Sequence, residues 1–326
     1  MIEKYYNGVI EQVAGGIGNV EHNSILVRYS NDFSIWDLES VNHYKDQTDI
    51  FFTCHEFSYN KIAEAYEPYL GLIRQMFHKY CSGTLEEFME ECDVYKLQRP
   101  VFESYFEKGF CERTEQILID EVEYEQERMR NSIVTMLQKL SEIRPVVIVL
   151  NRFQLASKST MQLSNSLLQV KNKNIGIVLG VNDVQSIPEF AHEEWDAICE
   201  SMDDRNMVYH IGNAGRNMEP DVMDYYSDYE SDDGYRKLNN LVYFLDFDQA
   251  NHHLSKIERR IKFDNFTISE KKHYQLLLLQ IMVSVLQRDI AKALESCEDL
   301  EKLQDQEKEG AFYYNFWMAT SYMYLG

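Results

Sequence analysis

Short β-branched and aromatic runs alternate along the chain with longer stretches whose apolar residues recur every three or four positions. That alternation predicts a parallel sheet covered by helices. Five runs read as strands: Ser24 to Tyr29, Asp49 to Cys54, Val146 to Leu150, Ile175 to Gly180 and Met207 to Ile211. Between the first two, Ser34 to Val41 reads as a short helix, with Ser34 placed to accept from its free N–H groups. After the second strand Ile62, Tyr66, Tyr69, Leu70, Ile73, Met76, Phe77 and Tyr80 fall on one helical face. Pro68 marks the start of the main helix there, because a proline at the first helical position gives up no hydrogen bond. Thr84 to Cys92, Val101 to Phe110 and Thr114 to Leu140 add further helices with the character of packing surfaces.

Beyond residue 240 the period is helical throughout: Leu241 to Ile257, opening as strand or helix, then Ile268 to Leu286, Ile290 to Leu303 and Ala311 to Leu325. Gln287-Arg288-Asp289 makes a tight turn between two of these helices, which become an antiparallel pair. The acidic stretch Asp221 to Gly234 lacks the glycine and the bidentate glutamate of a calcium loop, and reads as a solvated loop between domains. The expected organisation is an α/β domain over 1–215, an acidic linker or loop over 216–240 and an α-helical domain over 241–326.

A chain of 326 residues with 44% apolar residues fills cores for two domains. Its net charge of -22 repels nucleic-acid backbones and anionic lipid, so direct nucleic-acid or membrane binding is not expected. No apolar run is long enough to cross a bilayer, and Met1 to Tyr5 lacks the pattern of a signal peptide, so a cytoplasmic location is expected. The six cysteines form no C-x-x-C pair and read as free thiols. Cys54-His55-Glu56 carries metal-ligating types, but neighbours on a strand point to opposite faces and do not converge on one ion. Ala14-Gly15-Gly16-Ile17-Gly18-Asn19 has the glycines of a phosphate loop without its Lys-Ser/Thr ending, and reads as a turn between an N-terminal helix and the first strand. No serine sits in a nucleophile elbow and no carboxylate pair has an acid–base context. No metal, cofactor or catalytic residue is expected.

The run Leu150-Asn151-Arg152-Phe153-Gln154-Leu155-Ala156-Ser157-Lys158-Ser159-Thr160 resembles the segment after the third strand of STAND-type ATPases, the signal-transducing branch of the AAA-like P-loop proteins. In that family an apolar strand ends in paired aspartates, followed by an aromatic-Ala-Asp turn and a Ser-rich helix start. Cys54 to Tyr69 looks like the stretch after the family's second strand, and Ile175 to Asn182 stands where its fourth strand ends in a polar sensor. The resemblance runs from Ser24 to Ile211 and implies a five-stranded, mainly parallel P-loop-NTPase-like sheet with flanking helices, followed by an all-α helical-repeat domain.

The chain departs from the family where the chemistry lies. Tyr29-Ser30-Asn31-Asp32-Phe33-Ser34 replaces the Gly-rich loop and its lysine, and Asn151 and Arg152 replace the acidic pair. An amide brings no charge to a metal, and a guanidinium does not act as a base near neutral pH. Asn31, Asp32, Asn151, Arg152 and Asn182 are therefore expected to be vestigial nucleotide-site positions. The competing expectation is an ATP-dependent switch that uses Asn31, Lys158, Asn151 and Asn182 as polar contacts.

The phrase Ala291-Lys292-Ala293-Leu294 and the aromatic run Gly310 to Gly326 resemble tetratricopeptide hairpins. Such an array implies a protein partner bound on the repeat surface, a possible homodimer, and a longer bacterial signalling protein with more repeats and an output domain.

Overall fold

Strands β1 (Asn23–Tyr29), β2 (Phe51–Glu56), β3 (Val146–Asn151), β4 (Ile175–Asn182) and β5 (Val208–Ile211) pair in parallel, in the order β2-β3-β4-β1-β5. The computed structural model describes residues 2–20, 23–30, 33–47, 49–58, 61–111, 122–182, 191–203, 207–211, 226–263, 266–303, 316 and 318–320. All five expected runs are strands. β2 begins later than expected and runs on through His55 and Glu56, because β3 carries the ladder forward to Asn151, whose carbonyl accepts the Phe57 N–H at 3.1 Å. β3 and β4 are buried along their whole length and carry continuous apolar runs, as central parallel strands must.

Side chains alternate between two helical layers. Ile25, Val27, Tyr29, Val147, Val149 and Val178 face α1 (Ile2–Gly16) and α2 (Glu39–Lys45). Leu26, Ile148, Leu150, Ile177 and Leu179 face the larger layer. That layer holds α3 (Tyr69–Tyr80), α4 (Leu85–Glu91), α5 (Arg99–Lys108), α6 (Val122–Ile143), α7 (Lys158–Gln169) and α8 (His192–Asp203). In α1, Tyr6, Val9, Ile10 and Val13 form the buried stripe, at the spacing of one helical face.

Local chemistry sets the helix ends. Pro68 occupies the position before α3, so Ile62 and Tyr66 lie in the turns leading to it rather than on its face, with Tyr66 at φ 55°. The proline ring disfavours a helical conformation for Glu67 and stops the helix from growing backwards. Thr84 and Glu87 close a capping box at α4, and Gly109, at φ 81°, ends α5 in the left-handed conformation that glycine adopts without cost. The expected helix over Thr114 to Leu140 is seen as α6, with residues 112–121 outside the described part.

The acidic stretch is not a loop where it is described. Residues 226–243 form α9 (Tyr226–Glu230) and α10 (Asp232–Tyr243). Ser231 accepts from the Gly234 N–H, and Asp232 and Asp233 lie in the first turn, where the helix dipole favours negative charge. The carboxylates that suggested a solvated linker are an N-terminal helix signal. Residues 221–225 lie outside the described part.

Helices α11 (Phe247–Phe263), α12 (Glu270–Leu286) and α13 (Ile290–Lys302) complete the helical part. Leu241 to Tyr243 closes α10, so the run expected to open as strand or helix is two helices broken at Leu245, which has φ 67°. The α12–α13 connection over Gln287 to Asp289 folds the chain back on itself, and Asp289 accepts from the Lys292 N–H at 3.2 Å. Of the expected helix over Ala311 to Leu325, only residues 316 and 318–320 are described, and they are helical.

The helical part shares one apolar core with the larger sheet layer. Phe244 is fully buried, with its ring 6.1 Å from Tyr66, 5.7 Å from Phe102 and 5.6 Å from Tyr105. Beside it the carboxylate of Asp246 accepts the Ser159 N–H at 2.9 Å, satisfying a free donor at the start of α7. Among the described residues, no helix is long and apolar enough to cross a membrane.

At Gly234 an added Cβ would overlap the backbone carbonyl of Asp228, which cannot move without unseating α9. Alanine gains about 1 kcal/mol of helix propensity over glycine, but overpacking costs about 1–3 kcal/mol when side chains can yield and more when backbone must. Gly234→Ala is therefore expected to lower the midpoint of urea unfolding, with a net loss of at least about 1 kcal/mol.

Candidate functional site

Strand order reverses beside β1. The chain leaves β1 for β2 at one edge, returns through β3 and β4, and passes over β1 to reach β5. In open α/β sheets the crevice at the carboxyl ends of strands beside such a reversal is where ligands bind. Here that crevice is formed by the ends of β1, β3 and β4, which bring together Tyr29, Asn151 and Asn182.

Asn151 ends β3 and is fully buried. Its Oδ1 accepts a hydrogen bond of 2.7 Å from Tyr29 Oη, reaching across β4. The reach is possible because β4 carries Gly180 at this level. A Cβ there would lie 2.7 Å from Asn151 Oδ1 and would overlap Tyr6 Oη. Tyr6, from α1, is fully buried against the same spot. Its ring centroid is 5.2 Å from Phe33 and 6.5 Å from Tyr29, and Tyr29 is 4.9 Å from Phe33, all in edge-on arrangements. Burial, with the nearby Tyr29 and Glu56, pushes the Tyr6 hydroxyl well above the usual tyrosine range, so it stays neutral. Three aromatic rings and an amide thus fill the space above β4.

Asn182 pairs in register with Tyr29, is buried, and donates its backbone N–H to Gln154 Oε1 at 3.3 Å. Arg152, at φ 51°, turns out of β3 and places Nη1 3.2 Å from Glu56 Oε1. The other oxygen of Glu56 accepts from the Ile35 N–H at 3.2 Å and from Ser34 Oγ at 3.4 Å. One carboxylate therefore joins the turn after β1 to the turn after β3, with both oxygens occupied.

Asn151, Arg152 and Asn182 are brought together at the carboxyl ends of β3 and β4, while Asn31 and Asp32 lie outside the described residues. Lys158 does not join them. It opens α7 and pairs with Asp248 of α11 at 2.6 Å and Glu194 of α8 at 3.6 Å. Burial works to lower the Lys158 pKa, but the hydrogen bond to Asp248 and the charges of Asp248 and Glu194 hold it above the usual lysine range. Lys158 lines an open groove of about 1260 Å³ with Arg130, Gln162 and Arg288. The competing set of Asn31, Lys158, Asn151 and Asn182 is thus not assembled among the described residues, because Lys158 is committed to two carboxylates of other helices.

His55 and Cys54 do not make a metal pair. His55 Nε2 is 3.5 Å from Glu67, and burial pushes its pKa down to about 4. Among the described residues no three His, Cys, Asp or Glu side chains gather as a metal set, and the six cysteines are free thiols.

Sequence reasoning missed Glu56, Tyr6 and Gln154. Glu56 was visible only as part of a rejected metal motif, and its partners come from two distant turns. The signal for Tyr6 was Gly180, since a glycine inside an apolar strand often marks a close approach by another group. No protein-family model matches this chain, and no curated protein matches it.

Gly180→Ala is expected to destabilise the fold by about 1–3 kcal/mol through overpacking. Combined with Tyr6→Phe, which removes the overlapped hydroxyl, part of that loss should return. Denaturant melts of the two single variants and the double variant measure the coupling, and strictly additive losses would place the strain elsewhere.

Proposed function

We propose that this chain is a non-catalytic regulatory and protein-interaction module: a STAND-like P-loop α/β domain that has lost its nucleotide chemistry, joined to tetratricopeptide-like helices. Phosphoryl transfer in P-loop enzymes relies on a phosphate-cradling loop with its lysine, and on a carboxylate near the metal. The observation that carries the reading is Asn151. At the end of β3, where such a carboxylate would stand, an uncharged amide is fully buried and bonded to Tyr29. Glu56, the carboxylate on the neighbouring strand, is neutralised by Arg152 and holds the turn after β1 through Ser34 and Ile35. The rings of Tyr6, Tyr29 and Phe33 pack where a nucleotide would need open space. An all-parallel sheet with β3, β4 and β1 side by side supports the P-loop-like reading.

In this proposal the module belongs to a bacterial signal-transduction protein of the cytoplasm. It binds a protein partner through the surface of the α11–α13 helices, with a homodimer possible, and its charge of -22 keeps it from nucleic acid and anionic membranes. The α12–α13 hairpin, with α12 buried between its neighbours, supports the repeat-like reading.

Isothermal calorimetry with ATP and Mg²⁺ tests the central claim. The expected result is no saturable heat up to millimolar nucleotide and no phosphate release. Micromolar binding that survives Lys158→Ala would point to an opened crevice at β1 and β3. Binding that is lost in that variant would favour the ATP-dependent switch.

A further inference from the structure

Between the end of β2 and α10 lies a group of ionisable side chains that the plugged crevice does not use. The segment before α3 is fastened to the helical part by polar contacts along its length. The Ile62 N–H donates to Asp228 at 2.6 Å, the Ala63 carbonyl accepts from Gln249 at 3.0 Å, and Glu64 Oε2 accepts from Asn240 Nδ2 at 2.7 Å. Asn240 turns its own oxygen to the Cys111 N–H at 2.8 Å, so its amide is fixed in orientation from both ends. Glu67, one turn along, accepts the Glu64 N–H at 3.1 Å, which keeps two carboxyl groups in one partly buried turn.

The charges around Glu64 do not balance. From its own segment it faces Glu67, which in turn faces Lys61 and, across to β2, His55, while Glu56 is paired to Arg152. From α5 and the residues after it come Tyr105 and Cys111, both kept neutral because burial raises their pKa values. From α9 and α10 come Asp228, Asp233, Lys237 and the neutral Asn240. Lys237 is the cation placed among these acids, and it is spent on Asp228 at 3.2 Å and Asp233 at 3.1 Å. Lys61 is exposed, and His55 is neutral near pH 7. Four carboxyl groups thus share two lysines: Glu67 lies beside the neutral His55, and Glu64, the one whose side chain reaches α10, has the Asn240 amide as its partner and no close cation.

We propose that Glu64 is a protonation latch on the seam between the sheet domain and the helical part: the neutral acid holds the 61–68 segment against α10, and loss of its proton loosens that contact. Two carboxylates in one partly buried turn do not both ionise cheaply, so the proton is the least costly way to relieve the imbalance. Burial, then the Glu67 carboxylate, push the Glu64 pKa up to about 7 against the opposing Asn240 bond. A carboxyl group raised in the closed state stabilises that state fully below its ordinary value of 4.5, and the contribution is lost as pH rises through about 7. The buried histidines titrate in the opposite sense, so the wild-type profile alone mixes the two. Glu64→Gln isolates the latch, since the amide has the shape of the neutral acid and no proton to lose.

Hydrogen exchange of the α10 and 61–68 amides, corrected for intrinsic rates, is measured at pH 5, 6, 7 and 8 in the whole chain and in the variant. Relative to Glu64→Gln, opening in the wild type should rise by up to roughly tenfold per pH unit to about pH 7 and then level off. Equal pH slopes in the two proteins would overturn the proposal. Should Glu64→Gln fold poorly, the unmodified protein still decides, through a carboxyl ¹³C titration of its glutamates. A Glu64 midpoint near 7 upholds the latch, and an ordinary midpoint near 4.5 sinks it.

Discussion

The packing of α1 on the sheet rests on the space above β4 left by two missing side chains. Gly176 and Gly180 lie on the face that β4 turns toward α1, and Cβ atoms there would meet Val13 and Tyr6 respectively. That space lets α1 sit low enough for Tyr6 to reach the level of Asn151, and lets Tyr29 reach over β4 to the same amide. The filled crevice, the neutral phenol and the buried asparagine follow from that one close approach. Asn23, whose side chain bonds the Val13 carbonyl, fixes the far end of the helix and so its height along the strand.

On the opposite layer the constraint is polar. Asp246 is fully buried, and burial pushes its pKa up while the Ser159 hydroxyl and N–H pull it back. A carboxylate in that position is costly to desolvate, and it is retained where it meets the free donors at the start of a helix. Together with the Phe244 socket it sets the helical part in one place on the sheet domain.

The sheet was legible because parallel central strands carry long β-branched runs, and β3 and β4 satisfy both burial and propensity at once. Helices with caps written in the sequence, such as Thr84 with Glu87, were legible for the same local reason. The α9–α10 pair was not, because aspartates favour both solvated loops and helix N-termini, and only Ser231 and the apolar face behind it decide between them. Of the site, the loss of charge at Asn151 and Arg152 was readable from residue type alone. What fills the crevice was not, since Tyr6, Glu56 and Asn151 are far apart in the chain and meet only through strand pairing and the packing of α1 on the sheet. Lys158 looked available from its position after β3, and its commitment depends on Asp248, ninety residues later in the chain.

The Asp246–Ser159 bond also bears on how the molecule comes apart. A helix start that borrows its acceptor from a residue beyond α10 is incomplete until the later chain has arrived, and the Phe244 ring leaves a hole among Tyr66, Phe102 and Tyr105 if it departs. The sheet and the helices thus share one apolar core, so that withdrawing the segment from Phe244 to Asp246 would expose both at once.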